Sequence, residues 1–322
     1  MTNIDEVIDE LRPTLKSIEQ DRQAYLKKRN NFIWFVIVPG VLVAGFPAIA
    51  FFPAGLFAIL GWLVVSGIVY HFTVGSQARS YVSSYKSTVP GKLVKLVGEN
   101  LQYDQNRGIE QHLFEASELF TTSPDRYNTE DLIHGTHGKT SLILGEIDAE
   151  EKKTERDSDG KTKTRYVTIF DGLFLVADFH KHFHGKTFVF PDVAEKAFGE
   201  IGRALQKLSG RRGTQLIQME DTEFEKAFAV HSTDQVEARY ILSPSMMRRI
   251  LDLRQRFGKD VRIAFKESSV WIAVPHSSPY LEPGTGVAAT DRVQIENMLT
   301  EIVSFLDIIE EMDLNTRIWT KH

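Results

Sequence analysis

No cysteine occurs among the 322 residues. Disulfides, thiolate metal sites and cysteine nucleophiles are therefore excluded together. A basic excess is missing too. Lys and Arg total 38 against 43 Asp and Glu, a formal net charge of −5, which argues against the basic footprint of generic nucleic-acid binding. With 11 Pro and 22 Gly the chain holds too little of either for a disordered or collagen-like polymer. The most informative absence is local. No Asp, Glu, Lys or Arg lies between Arg29 and Arg79, where an ordinary soluble stretch of that length carries about a dozen.

What fills that gap is apolar. Pro53-Ala54-Gly55 divides it into two runs, roughly 32–52 and 56–74. Both meet the length of about 20 residues that a helix needs to cross a hydrocarbon core. The short break suits a tight turn, so residues 31–75 read as a two-helix transmembrane hairpin. Lys27, Lys28 and Arg29 precede it, Arg79 and Lys86 follow it, and the turn is uncharged. Positive flanks stay inside, so both termini are expected in the cytoplasm. Trp34, Phe35 and Tyr70 stand where interfacial aromatics stand. Pro39 and Pro47 predict a kink or a re-entrant segment in the first run. Gly40, Ala44 and Ala48 recur every four residues, a small-residue face that permits close helix packing. It serves either the partner helix of the hairpin or a homo-oligomer. No charge inside the spans suggests an ion pathway.

Before the hairpin, residues 1–30 read as a polar helix. Ile4, Ile8, Leu11, Leu15 and Ile18, with Tyr25, follow a coiled-coil-like spacing. Arg22 interrupts it and Pro13 argues against an unbroken helix. The stripe either packs on the protein itself or self-associates. Residues 76–120 read as a helical connector, with short helices over Lys92–Leu101 and Glu110–Leu119.

Residues 121–322 read as an α+β cytoplasmic domain of mixed or antiparallel strands and flanking helices. Strand-like runs are Ser141–Ile147, Tyr166–Phe170, Gly172–Phe179, Thr187–Phe190, Val261–Phe265 and Ser269–Val274. Helical spacings cover Val193–Leu208, Pro244 to about Phe257, and Asp291–Ile309. Ser243 can cap the second of these, with Pro244 in its first turn. The charged run Glu150–Lys163 reads as a long solvated hairpin loop. Its Asp157-Ser158-Asp159-Gly160 lacks the ligand series and closing Glu of an EF-hand.

Few patterns carry chemistry. Gly135-Thr136-His137-Gly138-Lys139-Thr140 is two residues short of a phosphate loop and precedes a strand, so it reads as a turn. His231, Ser232 and Asp234 lack a nucleophile elbow. His180, His182 and His184 alternate. If extended, they project three imidazoles from one face, a candidate metal site, with Asp178 as a further candidate ligand. The competing reading is a polar strand end. Arg248, Arg249, Arg254 and Arg256 make a basic helix, with Arg248 and Arg249 as candidate contacts to lipid or an acidic partner, or else a solvated face with local acids.

Several segments together resemble the bacterial family of unknown function DUF3137. They are Gly145-Glu146-Ile147, Phe170-Asp171-Gly172-Leu173-Phe174, Phe179 through Thr187, Phe224 through Val230, Glu237 through Pro244, Ile263-Ala264-Phe265 and Val270 through Val274. The amino-terminal arm and paired apolar helices look like that family's layout as well. The resemblance implies a protein anchored in the bacterial inner membrane, and it implies no activity. Gly172 and Gly185 are expected at turns or close backbone approaches. The expectation is a multi-pass, non-enzymatic interaction or regulatory protein without a cofactor, binding the bilayer and a protein partner or lipid headgroups. The alternative is a membrane-tethered metal enzyme with its site near His180–His184.

Overall fold

The computed structural model describes residues 4–43, 54–156, 162–179, 182–192, 213–258, 260–276 and 281–312. Val193–Leu208, the Asp157–Gly160 run, Ala44, Pro47, Ala48 and His180 lie outside them. The chain divides into two compact units. One comprises Met1–Leu96 with Leu281–Thr300, the other Val97–Tyr280 with Glu301–His322.

The first unit is helical. Helix α1, Ile4–Phe32, passes through Pro13 without a break. Pro13 is exposed, while Val7, Leu11, Leu15, Ile18, Arg22, Tyr25 and Phe32 are buried on the other side. Arg22 thus continues the stripe that its charge appeared to interrupt. The stripe is covered within the chain: Tyr25 and Phe32 cluster with Val74, and Phe32 meets Tyr70 edge-on at 5.4 Å. A π-helical turn, Ile33–Ile37, follows α1 directly, with Val38 N–H bonding back to Ile33 O. Its place just before Pro39 has a physical reason. Pro39 supplies no N–H to the helical ladder, and a widened turn absorbs the fault.

Helix α2, Ala54–Lys86, is 33 residues long, about 50 Å at 1.5 Å per residue. Its first part exposes Phe57, Leu60, Leu63, Val64, Val65 and Phe72. Its last part buries Tyr81 and Tyr85 completely, and burial pushes the pKa of both up to about 12. The helical stretch Ile59–Val97, which includes α3 (Val89–Val97), contains a window long and apolar enough to cross a membrane. It is the one such helix among the described residues. The first apolar run lies partly outside them, so the two-helix hairpin is not established by the fold. Gly40 packs on α2, because a Cβ there would overlap the Trp62 indole. The segment 281–300 completes the unit: Arg22 Nη1 donates to Thr285 O at 3.1 Å, and Glu19 Oε2 accepts from Ala289 N at 2.8 Å.

The second unit is built on one nine-stranded, wholly antiparallel sheet. Its strands are β1 Leu101–Asp104, β2 Arg126–His137, β3 Thr140–Arg156, β4 Thr162–Asp178, β5 Lys186–Pro191, β6 Gln215–Ile217, β7 Phe228–Ser232, β8 Arg262–Lys266 and β9 Ser269–Pro275. They lie in the order β1-β2-β3-β4-β9-β8-β5-β7-β6. One face is covered by the segment carrying α4, Gln111–Ala116. Phe114 sits there among Phe120, Tyr127, Phe170 and Phe174 at 4.7 to 6.2 Å. On the other side, α7 (Pro244–Phe257) places Arg254 over the Phe228 ring. The carboxy-terminal part of α8, Arg292–Glu311, stacks Phe305 on Phe257 at 4.8 Å. Short helices α5, Thr222–Ala227, and α6, Gln235–Ile241, flank β7 and are capped by Asp221 and Asp234.

Ser243 caps α7 as expected, accepting from Met246 N at 3.3 Å. The turn Gly138-Lys139 joins β2 to β3 and gives the phosphate-loop lookalike its structural role. One reading needs correction. Glu150–Lys163 is not chiefly loop, because β3 and β4 stay paired out to Arg156↔Thr162. Thr154, Thr162 and Thr164 favour the extended chain, and cross-strand charge pairs support it.

Candidate functional site

The histidine segment follows the end of β4 at Asp178. Phe179 N bonds to Ser268 O at 2.9 Å and Phe183 N to Glu267 O at 2.5 Å. Phe179 and Phe183 are buried and pack on Phe265, while His182 and His184 are exposed. The segment is therefore held by its phenylalanines, and the imidazoles of His182 and His184 face out. It is not a continuation of the strand. The two described rings stand 6.0 Å apart at 89°, and His182 Nδ1 lies 3.3 Å from Ser268 Oγ. The next turn is fixed from a distant point in the sequence: the buried Glu237 carboxylate accepts His184 N at 3.0 Å and Gly185 N at 2.7 Å. A Cβ at Gly185 would crowd Thr233 Oγ1 and Glu237 Oε2, which is the close approach expected of that glycine.

On α7, Arg248 pairs with Glu223 at 3.1 Å, both side chains exposed. Arg256 pairs with Asp307 at 3.1 Å. Arg249 is half-buried on the same helix. Acids thus stand opposite Arg248 and Arg256.

Three arrangements escaped the sequence reading. Glu130, Asp131 and Glu146 bring one carboxylate oxygen each within 4.8 Å of one another. The buried Asp131 takes φ +58° at a bulge in β2 and accepts the Tyr103 hydroxyl at 2.5 Å. Oxygen donors suit a hard cation, yet acids cluster in this way without one. Second, Glu118 Oε1 accepts Lys186 Nζ at 2.7 Å and Lys266 Nζ at 2.9 Å. Burial would raise the Glu118 pKa, and the two lysines outweigh it and hold it below the usual range. Third, Asp171 faces Asp148 across β3 and β4. Burial first, then Asp148, raises the Asp171 pKa, with His276 opposing. Periodicity carries no trace of such contacts, since each joins residues from different elements.

Fold and site together define an α+β domain on an antiparallel sheet, in a chain that also holds a helix apolar enough for a membrane. Residues 168–314 match the family model described as "Protein of unknown function (DUF3137)". The match takes in the Phe170–Phe174, Phe179–Thr187 and later segments and leaves out Gly145–Ile147 and the helices of residues 1–96. No curated protein matches the chain. Among solved structures it is similar to the crystal structure of the mycobacterial trehalose monomycolate transport factor A, TtfA. The identity is 9%, over 69% of this chain and 93% of that one, with a TM-score of 0.33, a likeness too low to carry a functional argument.

Proposed function

We propose that the protein is a membrane-anchored, non-enzymatic interaction or regulatory protein. It crosses the bacterial inner membrane twice, with residues 1–30 and 76–322 cytoplasmic, and its α+β domain binds a protein partner or lipid headgroups. The observation that carries this reading is α2. Its apolar first part leaves large side chains bare, and its second part is packed in a protein core. Lipid is the solvent that satisfies the first part without unfolding the second. The paired arginines of α7 and the outward, phenylalanine-framed histidines add no assembled catalytic constellation among the described residues.

Two measurements test it. A reporter fused after residue 54 is expected outside the cytoplasm and one after residue 90 inside; both on one side would overturn the topology. Crosslinking in membranes is expected to capture a specific partner of the full chain. A stoichiometric metal in the purified protein, lost in His182→Ala, would instead support the metal-enzyme alternative.

A further inference from the structure

We infer that the outer part of the β3–β4 hairpin is a contact surface for an anionic lipid bilayer, an inference that rests on the membrane-anchored reading. From Glu151 to Arg156 and from Thr162 to Val167, the two strands pair with each other and with no other strand among the described residues. Six residues of strand extend about 20 Å. Such a two-stranded ribbon, solvated on both sides, gains little stability on its own, so what it presents has to be sought on its faces.

The faces differ. Directly paired residues share a face. Glu151, Lys153 and Glu155 lie on one, with Val167, Arg165 and Lys163 opposite them. Its three cations stand against two acids, Lys153 meeting Glu151 at 2.9 Å and Arg165 meeting Glu155 at 2.8 Å. On the other face Lys152 pairs with Tyr166, Thr154 with Thr164 and Arg156 with Thr162, all exposed. Glu150 stands at its base, 3.5 Å from Arg126, and the Asp125 carboxylate accepts the Lys152 N–H at 2.7 Å. The same Arg126 lies 3.3 Å over the Tyr166 ring. The result is a strip of three cations, threonine hydroxyls and one amphipathic ring, in a chain whose net charge is −5.

A bilayer fits this strip better than an acidic peptide does. Cations and hydroxyls donate to phosphate oxygens, and tyrosine is favoured at the headgroup level. Each cation contributes about a fivefold attraction to an anionic leaflet. Three of them bind a free protein weakly, but a membrane anchor turns binding into an intramolecular step at high effective concentration. Contact is made by the flank of the ribbon, since the tip residues 157–161 hold two Asp and one Lys.

The absence of cysteine makes the test direct. Thr164→Cys gives a unique spin-label site on this face, and Lys163→Cys gives one on the other. The full chain is placed in nanodiscs of phosphatidylcholine, with or without phosphatidylglycerol. Phosphatidylglycerol is expected to lower the accessibility of the Thr164→Cys label to an aqueous relaxant at least about threefold, reversed by high salt. The Lys163→Cys label should change little. Combined Lys152→Glu and Arg156→Glu should abolish the protection. Equal accessibility in both lipids overturns the inference, as does protection that survives the charge reversal. Protection that appears only with added cytoplasmic extract, in either lipid, assigns the strip to a protein and also overturns it. A chain that fails to enter nanodiscs overturns the anchored reading itself, and the inference with it.

Discussion

Arg22 closes on Glu19 one turn back along α1, Nη2 to Oε1 at 2.8 Å, in the middle of a buried apolar stripe. The pair also reaches the segment 281–300, through Thr285 O and Ala289 N. Hydrogen bonds from Arg22 foremost, then from Gln23 and Ala289, hold the Glu19 pKa at about 2 against burial. A carboxyl depressed in the folded state stabilises fully above its unfolded pKa and loses that contribution as pH falls toward the folded value. Thermal unfolding of the full chain in detergent should therefore lose stability from about pH 4.5 downward. Glu19→Gln should flatten that slope. Glu19→Ala, which leaves a buried guanidinium, should cost about 3 kcal/mol at neutral pH. An unchanged pH slope in Glu19→Gln would show that the pair does not carry it.

Gly40 and Trp62 form a second contact that a single atom decides. A Cβ at Gly40 would overlap the indole, so Gly40→Val should lower the melting temperature and shift the Trp62 emission. Trp62→Ala removes the obstacle. In a double-mutant cycle, Gly40→Val should cost at least about 1 kcal/mol less in the Trp62→Ala background. Additive costs would mean that the two residues do not meet.

These contacts also show where sequence stops being legible. Elements with local signals were readable: Ser243-Pro244 opens α7, Ser269–Val274 alternates into β9, and the Asp291–Ile309 spacing gives α8. Strand β2 escaped because Arg126–Asp131 carries little apolar alternation, and β1 is four residues long. The outer ribbon looked like loop because its residues are charged; cross-strand pairing, which no single strand reveals, makes it sheet. Arg22 looked like a fault in the stripe because its partners at 285 and 289 lie far along the chain. The histidine segment read as alternating imidazoles or a polar strand end, and the Glu237 carboxylate that fixes its turn was not legible.

Gly172 is a harder constraint. It takes φ +151°, and a Cβ there would overlap Val274 O and crowd His276 N. Neighbouring backbone cannot step aside as a flexible side chain can. Gly172→Ala should cost about 3 kcal/mol or more, or prevent folding. Gly145→Ala is the control. It meets Ile109 Cγ1 at 3.3 Å, a contact that a few tenths of an ångström relieves, so its cost should be clearly smaller by chemical unfolding. Equal costs would refute this account of Gly172.

Glu237 offers the sharpest local test, because its carboxylate answers two backbone donors at once. His184 N and Gly185 N both point at it, and an unanswered buried donor costs about 1–3 kcal/mol. Glu237→Ala should release the turn after the histidines while leaving β5 paired with β7 and β8. In hydrogen exchange by mass spectrometry, amides 184 and 185 should exchange at least about tenfold faster, and those of Phe188 and Val189 at nearly their original rate. Glu237→Gln keeps one acceptor oxygen and should fall between the two. Unchanged exchange at 184 and 185 in Glu237→Ala would mean that the phenylalanine frame alone holds the turn. Loss of protection across β5 would mean that Glu237 supports the sheet and not the histidine segment.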